Sequence, residues 1–185
     1  RHFEPGQMVE EGDRLYTIEP DLYQATVNQR EADLQSARAE LARAQRDAQR
    51  FEQLLSQNSV SRQQVDQARA DRVAALALSL YDQSHGLLHH DDGNGRRLLW
   101  AAAQLHACGK HINIASYHKH TWYLIRHGEL LGYSELEHLM VAAIARYHRR
   151  GLPKKRHESW QLIEGREEKR TVGSLALLLR LAAAL

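Results

Sequence analysis

The densest group of residues that could do chemistry is a basic run from Arg146 to His157. It holds six permanent cations and two histidines within twelve residues. Clustered Lys and Arg side chains create a positive potential that attracts polyanions. Two interpretations stay open, an anion-binding loop and the more common solvated charged loop; nucleic acid would bind such a run without base specificity. The binding candidates in this run are Arg146, His148, Arg149, Arg150, Lys154, Lys155 and Arg156.

A second polar group, Tyr117-His118-Lys119-His120, stands at the start of a helical pattern. Its two histidines are spaced i, i+2, which does not place them on one helix face and therefore disfavours a metal pair. Two interpretations remain: a cationic helix start that binds phosphate, and a capped helix start with solvated His and Lys side chains. The polyanion-binding candidates here are His118, Lys119 and His120, together with Lys110.

A single cysteine, Cys108, excludes an intrachain disulfide and a zinc site built from cysteines. Its apolar surroundings favour a small core residue over a nucleophile. We predict no cofactor and no catalytic residue.

Charge divides the chain near residue 70. Residues 1–70 contain 9 Arg, no Lys and 12 Asp or Glu, whereas residues 71–185 contain 16 Lys or Arg and 11 Asp or Glu. An anionic partner is therefore expected to bind the second part. No apolar run reaches the roughly 18–20 residues of a membrane span, and the first residues do not show a signal-peptide pattern. We expect a soluble chain in the cytoplasm, or in the periplasm if an export signal was removed.

The elements that position these residues begin with a turn-rich segment. Pro5-Gly6 and Gly12-Asp13 predict turns, and Leu15, Tyr16 and Ile18 predict a short strand. From Asp21 to about Gln57 the apolar residues recur every seven positions without Gly or Pro, which predicts a coiled-coil helix. The seven-residue series is Val27, Leu34, Leu41, Ala48 and Leu55, accompanied by Ala37, Ala44 and Phe51, with Arg30 as its polar member. Ser61 and Gln64 then predict a capping box and a returning helix, and so a helical hairpin.

The remainder reads as a compact helical domain. We predict a helix that runs through Val73 and ends near Gly86, a loop at Gly93-Asn94-Gly95, and a capping box at Ser134 and Glu137. The further helices are predicted over 96–107, 118–127, 134–150 and from about 170.

Two family resemblances rest on these residues. Residues 3–70, with Gly6, Val9, Gly12, Asp13 and Leu15 and the stretch RFEQLLSQNSVSRQQVDQA, resemble the membrane fusion (adaptor) subunits of tripartite efflux pumps and type I secretion systems. The resemblance implies half of a lipoyl fold and a hairpin whose tip contacts an outer-membrane channel protein. The implied tip contacts are Arg50, Leu54 and Ser61; Leu54 equally serves a hairpin core and Ser61 equally serves a helix cap.

Residues 72–185 resemble the C-terminal HD-like domain of the exopolyphosphatase / guanosine pentaphosphate phosphohydrolase family. The carrying stretches are RVAALALSLYDQ, LLWAAAQLHACGKHIN, YHKHTWYLIRHGELLGYSELEHLMVAAIARYHRRGLPK and LALLLRLAAAL. The resemblance implies an all-α domain, cut within its last helix, that contributes part of a polyphosphate path and a dimer surface. It places the chemistry of that family in two actin-like domains, which this chain does not contain.

HD phosphohydrolases resemble one another in a set of four metal ligands, His…His-Asp…Asp. By this resemblance, most of the four positions hold other residues in this chain. The first would fall near Arg69–Ala70, and the last would fall near Ala183. His106 occupies the position of the His in the His-Asp pair, but Ala107 replaces the Asp, so His106 is a weak remnant and no metal site is predicted.

The predicted fold class is mainly α: a short β/turn segment over 1–20, a coiled-coil hairpin over 21–70, and an HD-like helical domain over 71–185. The leading hypothesis is a non-catalytic scaffold that binds polyphosphate or another polyanion and self-associates through the hairpin. One alternative is an accessory part of an exopolyphosphatase-type enzyme that needs the actin-like domains. The other is an efflux adaptor fragment with a channel-type partner. We expect no sequence-specific nucleic acid binding.

Overall fold

Helices account for the regular structure of the chain. The computed structural model describes residues 2–4, 6–17, 20–89 and 94–185, and within these ranges it contains α-helices, one 3-10 turn and no strand beyond an isolated bridge between His85 and His89. The helices are α1 (Asp21–Ser56), α2 (Arg62–Gln83), α3 (Asn94–Leu105), α4 (Tyr117–His127), α5 (Glu135–Tyr147), α6 (Glu158–Gln161) and α7 (Arg166–Ala184), and the 3-10 turn spans Cys108–His111. The predicted mainly α fold class is confirmed. Residues 1–36 and 37–185 form two compact units.

The first unit contains the turn segment and the start of α1. Gly6 and Gly12 have φ values of +91° and +101°, so the predicted turns are present at positions where only glycine is unstrained. The backbone N–H of His2 donates to the carbonyl of Leu15 (2.8 Å). One such bond does not make a strand ladder, so the strand predicted at Leu15 and Tyr16 is absent; Ile18 lies outside the described residues.

The helical hairpin is formed in the second unit by the rest of α1 and by α2. The Ser61 Oγ accepts from the Gln64 N–H (3.2 Å), and the Gln64 side chain accepts from the Ser61 N–H (2.8 Å). The predicted capping box is therefore confirmed. Ala48, a member of the seven-residue series, is buried on α1. On the returning helix α2, Val65 is buried. The helix α2 passes residue 70 without a break, so the change in charge there coincides with no helix end.

A core of Leu, Ile, Val and Ala side chains lies among α2, α3, α5 and α7. Its fully buried members include Leu98, Leu99, Val141, Ile144, Val172, Leu175 and Leu179. α5 is buried nearly all round, because residues 139–145 are uninterrupted apolar positions. The predicted capping box of Ser134 and Glu137 begins this helix.

Several helix bounds differ from the prediction. Asn94 and Gly95 begin α3 instead of forming a loop, and Gly93 lies outside the described residues. α5 ends at Tyr147 instead of 150, because Arg150 adopts a left-handed conformation (φ +67°) that interrupts the helix. α7 starts at Arg166, four residues early, where acidic residues in the first turn favour a helix N-terminus. The short helix α6 was not predicted.

Candidate functional site

Three segments of the second unit meet at Tyr117: the 3-10 turn, the start of α4 and the end of α5. Gly109 makes this meeting possible, because a Cβ at that position would lie 2.3 Å from the Tyr117 carbonyl oxygen. The Gly109 N–H donates to the Thr121 Oγ1 (3.1 Å). The Thr121 hydroxyl donates in turn to the His106 carbonyl (3.1 Å). These bonds tie the 3-10 turn to α4 and place Lys110 beside the tyrosine ring.

A buried pair of histidines lies beneath Tyr117. The ring centroids of His106 and His148 are 5.1 Å apart, and the rings are nearly perpendicular. Each Nδ1–H donates to the carbonyl three residues earlier, of Ala103 and Ala145 respectively. With its proton on Nδ1, His148 accepts from the Tyr117 hydroxyl through Nε2 (3.0 Å).

Both histidines of this pair are held neutral. Burial lowers the pKa of His106 and lowers the pKa of His148 to about 3. His148 is 3% exposed. Within the described residues, no group of three or more His, Cys, Asp or Glu is spaced to hold a metal ion. His106 packs against His148 at this site.

His118 occupies the first turn of α4 and is buried, with 8% of its surface exposed. Its Nδ1 has no hydrogen-bond partner within the part of the chain that the structure describes. Burial and then the charge of Arg146 lower its pKa. The interpretation of a capped helix start with solvated residues is therefore wrong for His118, and Ser116 makes no side-chain cap; Lys119 is exposed and His120 is half-buried.

Cations from separate elements lie beside the aromatic rings of Tyr117 and Trp122. The Lys110 Nζ lies 5.2 Å from the centroid of its ring, and the Arg149 Cζ lies 4.7 Å from it. The Arg146 Cζ lies 6.0 Å from the Trp122 ring. Among the described residues, none of the eight Lys and Arg candidates forms an ion pair with a carboxylate. The eight are Lys110, Lys119, Arg146, Arg149, Arg150, Lys154, Lys155 and Arg156.

The loop after α5 carries the remaining cations. Lys154, Lys155 and Arg156 are exposed. The Lys154 backbone N–H donates to the His157 Nδ1 (3.2 Å), and the Tyr147 hydroxyl lies 3.1 Å from the same nitrogen. The end of the loop is thereby attached to the buried end of α5, while its lysine and arginine side chains are left at the surface.

Sequence reasoning missed Arg180. From α7, its guanidinium donates to the carbonyls of Tyr147 (2.8 Å) and His148 (3.3 Å), at the end of α5. The only signal in the sequence is one arginine inside the apolar run from Leu175 to Leu185. A charge in such a run indicates a specific partner, but not which one.

Cys108 and the hairpin tip have local structural partners. Cys108 is half-buried against the core, and burial raises the pKa of its thiol, which keeps it protonated.

At the tip of the hairpin, Arg50 pairs with Asp47 (3.2 Å), Leu54 is half-buried, and Ser61 caps α2.

The fold and this arrangement define the class of protein. The family model for the Ppx/GppA phosphatase, domain III, matches residues 56–185, which are 130 of the 185 residues. The chain belongs to this family. A second model, for the alpha-helical hairpin domain of RND MFP proteins, matches residues 26–83. The two matches overlap in α2, so both resemblances predicted from the sequence are confirmed.

Individual relatives divide in the same way. The chain is 40% identical over 95 residues to a guanosine-5'-triphosphate,3'-diphosphate pyrophosphatase of Pseudoalteromonas translucida, a match that covers 51% of this chain and 19% of the relative. It is 34% identical over 85 residues to the protein of that name from Pseudoalteromonas atlantica, covering 46% and 17%. It is 38% identical over 92 residues to the multidrug resistance protein MdtA of Pectobacterium carotovorum, covering 50% and 20%. The chain spans about a fifth of the length of these relatives.

Across the described ranges, no helix combines the length and the apolar character needed to cross a bilayer.

Proposed function

We propose that this chain is a non-catalytic helical module that binds polyphosphate or a similar polyanion through the cations of the 3-10 turn, α4, α5 and the loop after α5. The observation that carries the proposal is the set of eight Lys and Arg side chains without a carboxylate partner among the described residues. Uncompensated cations close together repel one another and favour an anionic ligand. Because they come from the 3-10 turn, α4, α5 and the following loop, they form a surface rather than a single ion pair.

The buried centre of the surface suits a charged ligand of this kind. The neutral histidines add no positive charge to the interior. The side chains of Lys154, Lys155 and Arg156 are exposed, where phosphate groups can reach them. A surface of this type binds through charge, and its affinity therefore depends strongly on salt.

Ala107 supports the non-catalytic part of the proposal. It stands where the HD motif has an aspartate, and His106 is committed to the Ala103 carbonyl and the His148 ring. Phosphate release from polyphosphate or guanosine pentaphosphate by the purified chain would contradict this part of the proposal. Release only after mixing with actin-like domains would favour the accessory-subunit alternative, which the domain III match supports.

The hairpin is proposed to mediate association. Within residues 21–36, α1 exposes Leu22 (76%), Tyr23 (66%) and Val27 (48%). Apolar side chains at these positions favour contact with a second copy or a helical partner. The match to the RND MFP hairpin supports the alternative of an adaptor fragment, in which Arg50, Leu54 and Ser61 contact a channel-type protein. Sedimentation of the purified chain over a concentration series tests self-association.

The proposal is tested by polyphosphate binding to the purified chain over a salt series. In the test variant, Arg149, Lys154 and Lys155 are replaced by Gln. In the control variant, Gln replaces Arg38, Arg46 and Arg62, which likewise form no ion pair with any described residue. Both variants lose three charges. We expect the slope of log Kd against log salt to fall by about two in the test variant, on the scale of roughly 0.7 per contacted phosphate. Equal losses in both variants, or no binding at low salt, would refute the proposed site.

A further inference from the structure

The end of α5 presents an electrostatic difficulty for the proposed site. The last carbonyls of a helix lack intrahelical partners and carry a partial negative charge. Arg149 and Arg150 follow directly on this end of α5. An anion that approaches these two arginines therefore also approaches carbonyl oxygens that repel it, unless another group covers them.

Arg180 covers two carbonyls at this end of α5, those of Tyr147 and of the C-cap residue His148. Its Nη2 donates to the carbonyl of Tyr147 over 2.8 Å and lies 3.5 Å from the carbonyl of Gly151, while its Nε donates to the carbonyl of His148 over 3.3 Å. The guanidinium is half-buried. The planar fork of an arginine can reach several acceptors in one geometry, whereas a lysine amine cannot reproduce that fork.

The same contacts define the path of the chain through the two binding candidates. The carbonyls that Arg180 holds, of residues 147, 148 and 151, bracket Arg149 and Arg150. Between them, Arg150 takes the left-handed conformation at φ +67°, which is unfavourable for a residue with a Cβ and persists only when its surroundings hold it. Arg149 is directed over the Tyr117 ring.

We propose that Arg180 is a positioning residue of the polyanion site: its fork holds the turn at residues 147–151, so that Arg149 and Arg150 face the ligand, and its charge offsets the negative end of α5. The inference rests on the proposed function. Arg180 thus affects binding without touching the ligand, because it positions Arg149 and Arg150.

Two variants separate positioning from charge and from simple stability. Arg180→Gln removes the charge and most of the fork, and Arg180→Lys keeps the charge without the fork. Arg170→Gln is the matched control, since Arg170 is exposed on the same helix and has no ion pair in the described residues. Circular dichroism first establishes that each variant is folded.

The first readout needs no ligand. NMR of the Arg149 side chain reports its position, because the Tyr117 ring shifts the proton resonances of a group that lies over it. We expect this shift in the wild type and in Arg170→Gln, and its loss in both Arg180 variants. Retention of the shift in folded Arg180→Lys and Arg180→Gln would overturn the inference. Should both variants fail to fold, exchange of the Nε–H proton of Arg180 in the wild type replaces them: slow exchange supports the bond to the His148 carbonyl, and rapid exchange overturns the inference.

The second readout is polyphosphate affinity. We expect Arg180→Gln to bind about tenfold more weakly, the equivalent of one lost charged hydrogen bond. Arg180→Lys, which keeps the charge, should bind more weakly than the wild type but less weakly than that. Arg170→Gln should change affinity less than about twofold. Unchanged affinity in the Arg180 variants, with a wild type that binds, would overturn the positioning role. A wild type that does not bind polyphosphate would instead refute the proposed function, and the NMR result would still decide whether Arg180 holds the turn.

Discussion

Lowering the pH from 8 to 5 should destabilise the fold through His148. This histidine is 3% exposed, and its pKa in the folded chain is lowered to about 3, mainly by burial. Its unfolded pKa is about 6.5. Because the folded value is the lower one, the unfolded chain binds the extra proton first, and stability is lost as the pH falls from about 6.5 towards 3. At pH 5 the linkage relation gives a loss of about 2 kcal/mol relative to pH 8.

The assay is urea unfolding at pH 8, 6.5 and 5 for the wild type, His148→Asn and His111→Asn. Asparagine can still donate to the Ala145 carbonyl but does not titrate. We expect His148→Asn to be less stable at pH 8 and to lose about 2 kcal/mol less than the wild type between pH 8 and 5. The control replaces an exposed histidine and should follow the wild type. The linkage argument would be refuted if the wild type and His148→Asn lost the same free energy of unfolding between pH 8 and pH 5, to within about 0.5 kcal/mol.

Three further substitutions test the local geometry by urea unfolding. Arg150→Asn should raise the free energy of unfolding by about 1 kcal/mol, since Asn tolerates positive φ, while weakening polyphosphate binding; lower stability would contradict the strain argument. Gly109→Ala should lower the free energy of unfolding by about 3 kcal/mol, because the new Cβ clashes with Tyr117. The control Gly173→Ala has open space around the new Cβ and should raise the free energy of unfolding by roughly 0.5 kcal/mol. Equal effects of the two substitutions would refute the clash. Ser61→Ala should lower the free energy of unfolding by about 1 kcal/mol, because it removes the capping box. The control is Ser59→Ala, and an equal loss of stability in that variant would show that the cap contributes nothing specific.

Elements with local causes were predictable from the sequence. The capping boxes of Ser61 and Ser134 form where the Ser-x-x-Gln and Ser-x-x-Glu patterns stand, because the cap and its partner are three residues apart in the chain. The hairpin followed from a seven-residue repeat and a polar break. The end of α5 was misplaced, because no local pattern in the sequence signals the left-handed conformation of Arg150. The carbonyl of the next residue, Gly151, lies 3.5 Å from the Nη2 of Arg180 on α7.

The candidate site was predictable only in part. The basic run and the Tyr117–His120 group were visible as residue types, and the structure brings Lys110, Tyr117 and Arg149 together. Burial of His118 was not visible, because a histidine at a helix start can face solvent or core with the same local sequence. Arg180 was missed for the same reason, since its partners belong to another helix.

The sequence by itself determined the composition of this protein: an acidic, lysine-free first part, a basic second part, the heptad repeat and the two family resemblances. It also determined which cations are present. Only the tertiary structure decided which cations share a surface, which histidines are held neutral and which carbonyls Arg180 covers. The physical reason is that helix periodicity and capping act over three to seven residues, whereas burial and electrostatic coupling depend on neighbours that the chain brings together only when it folds.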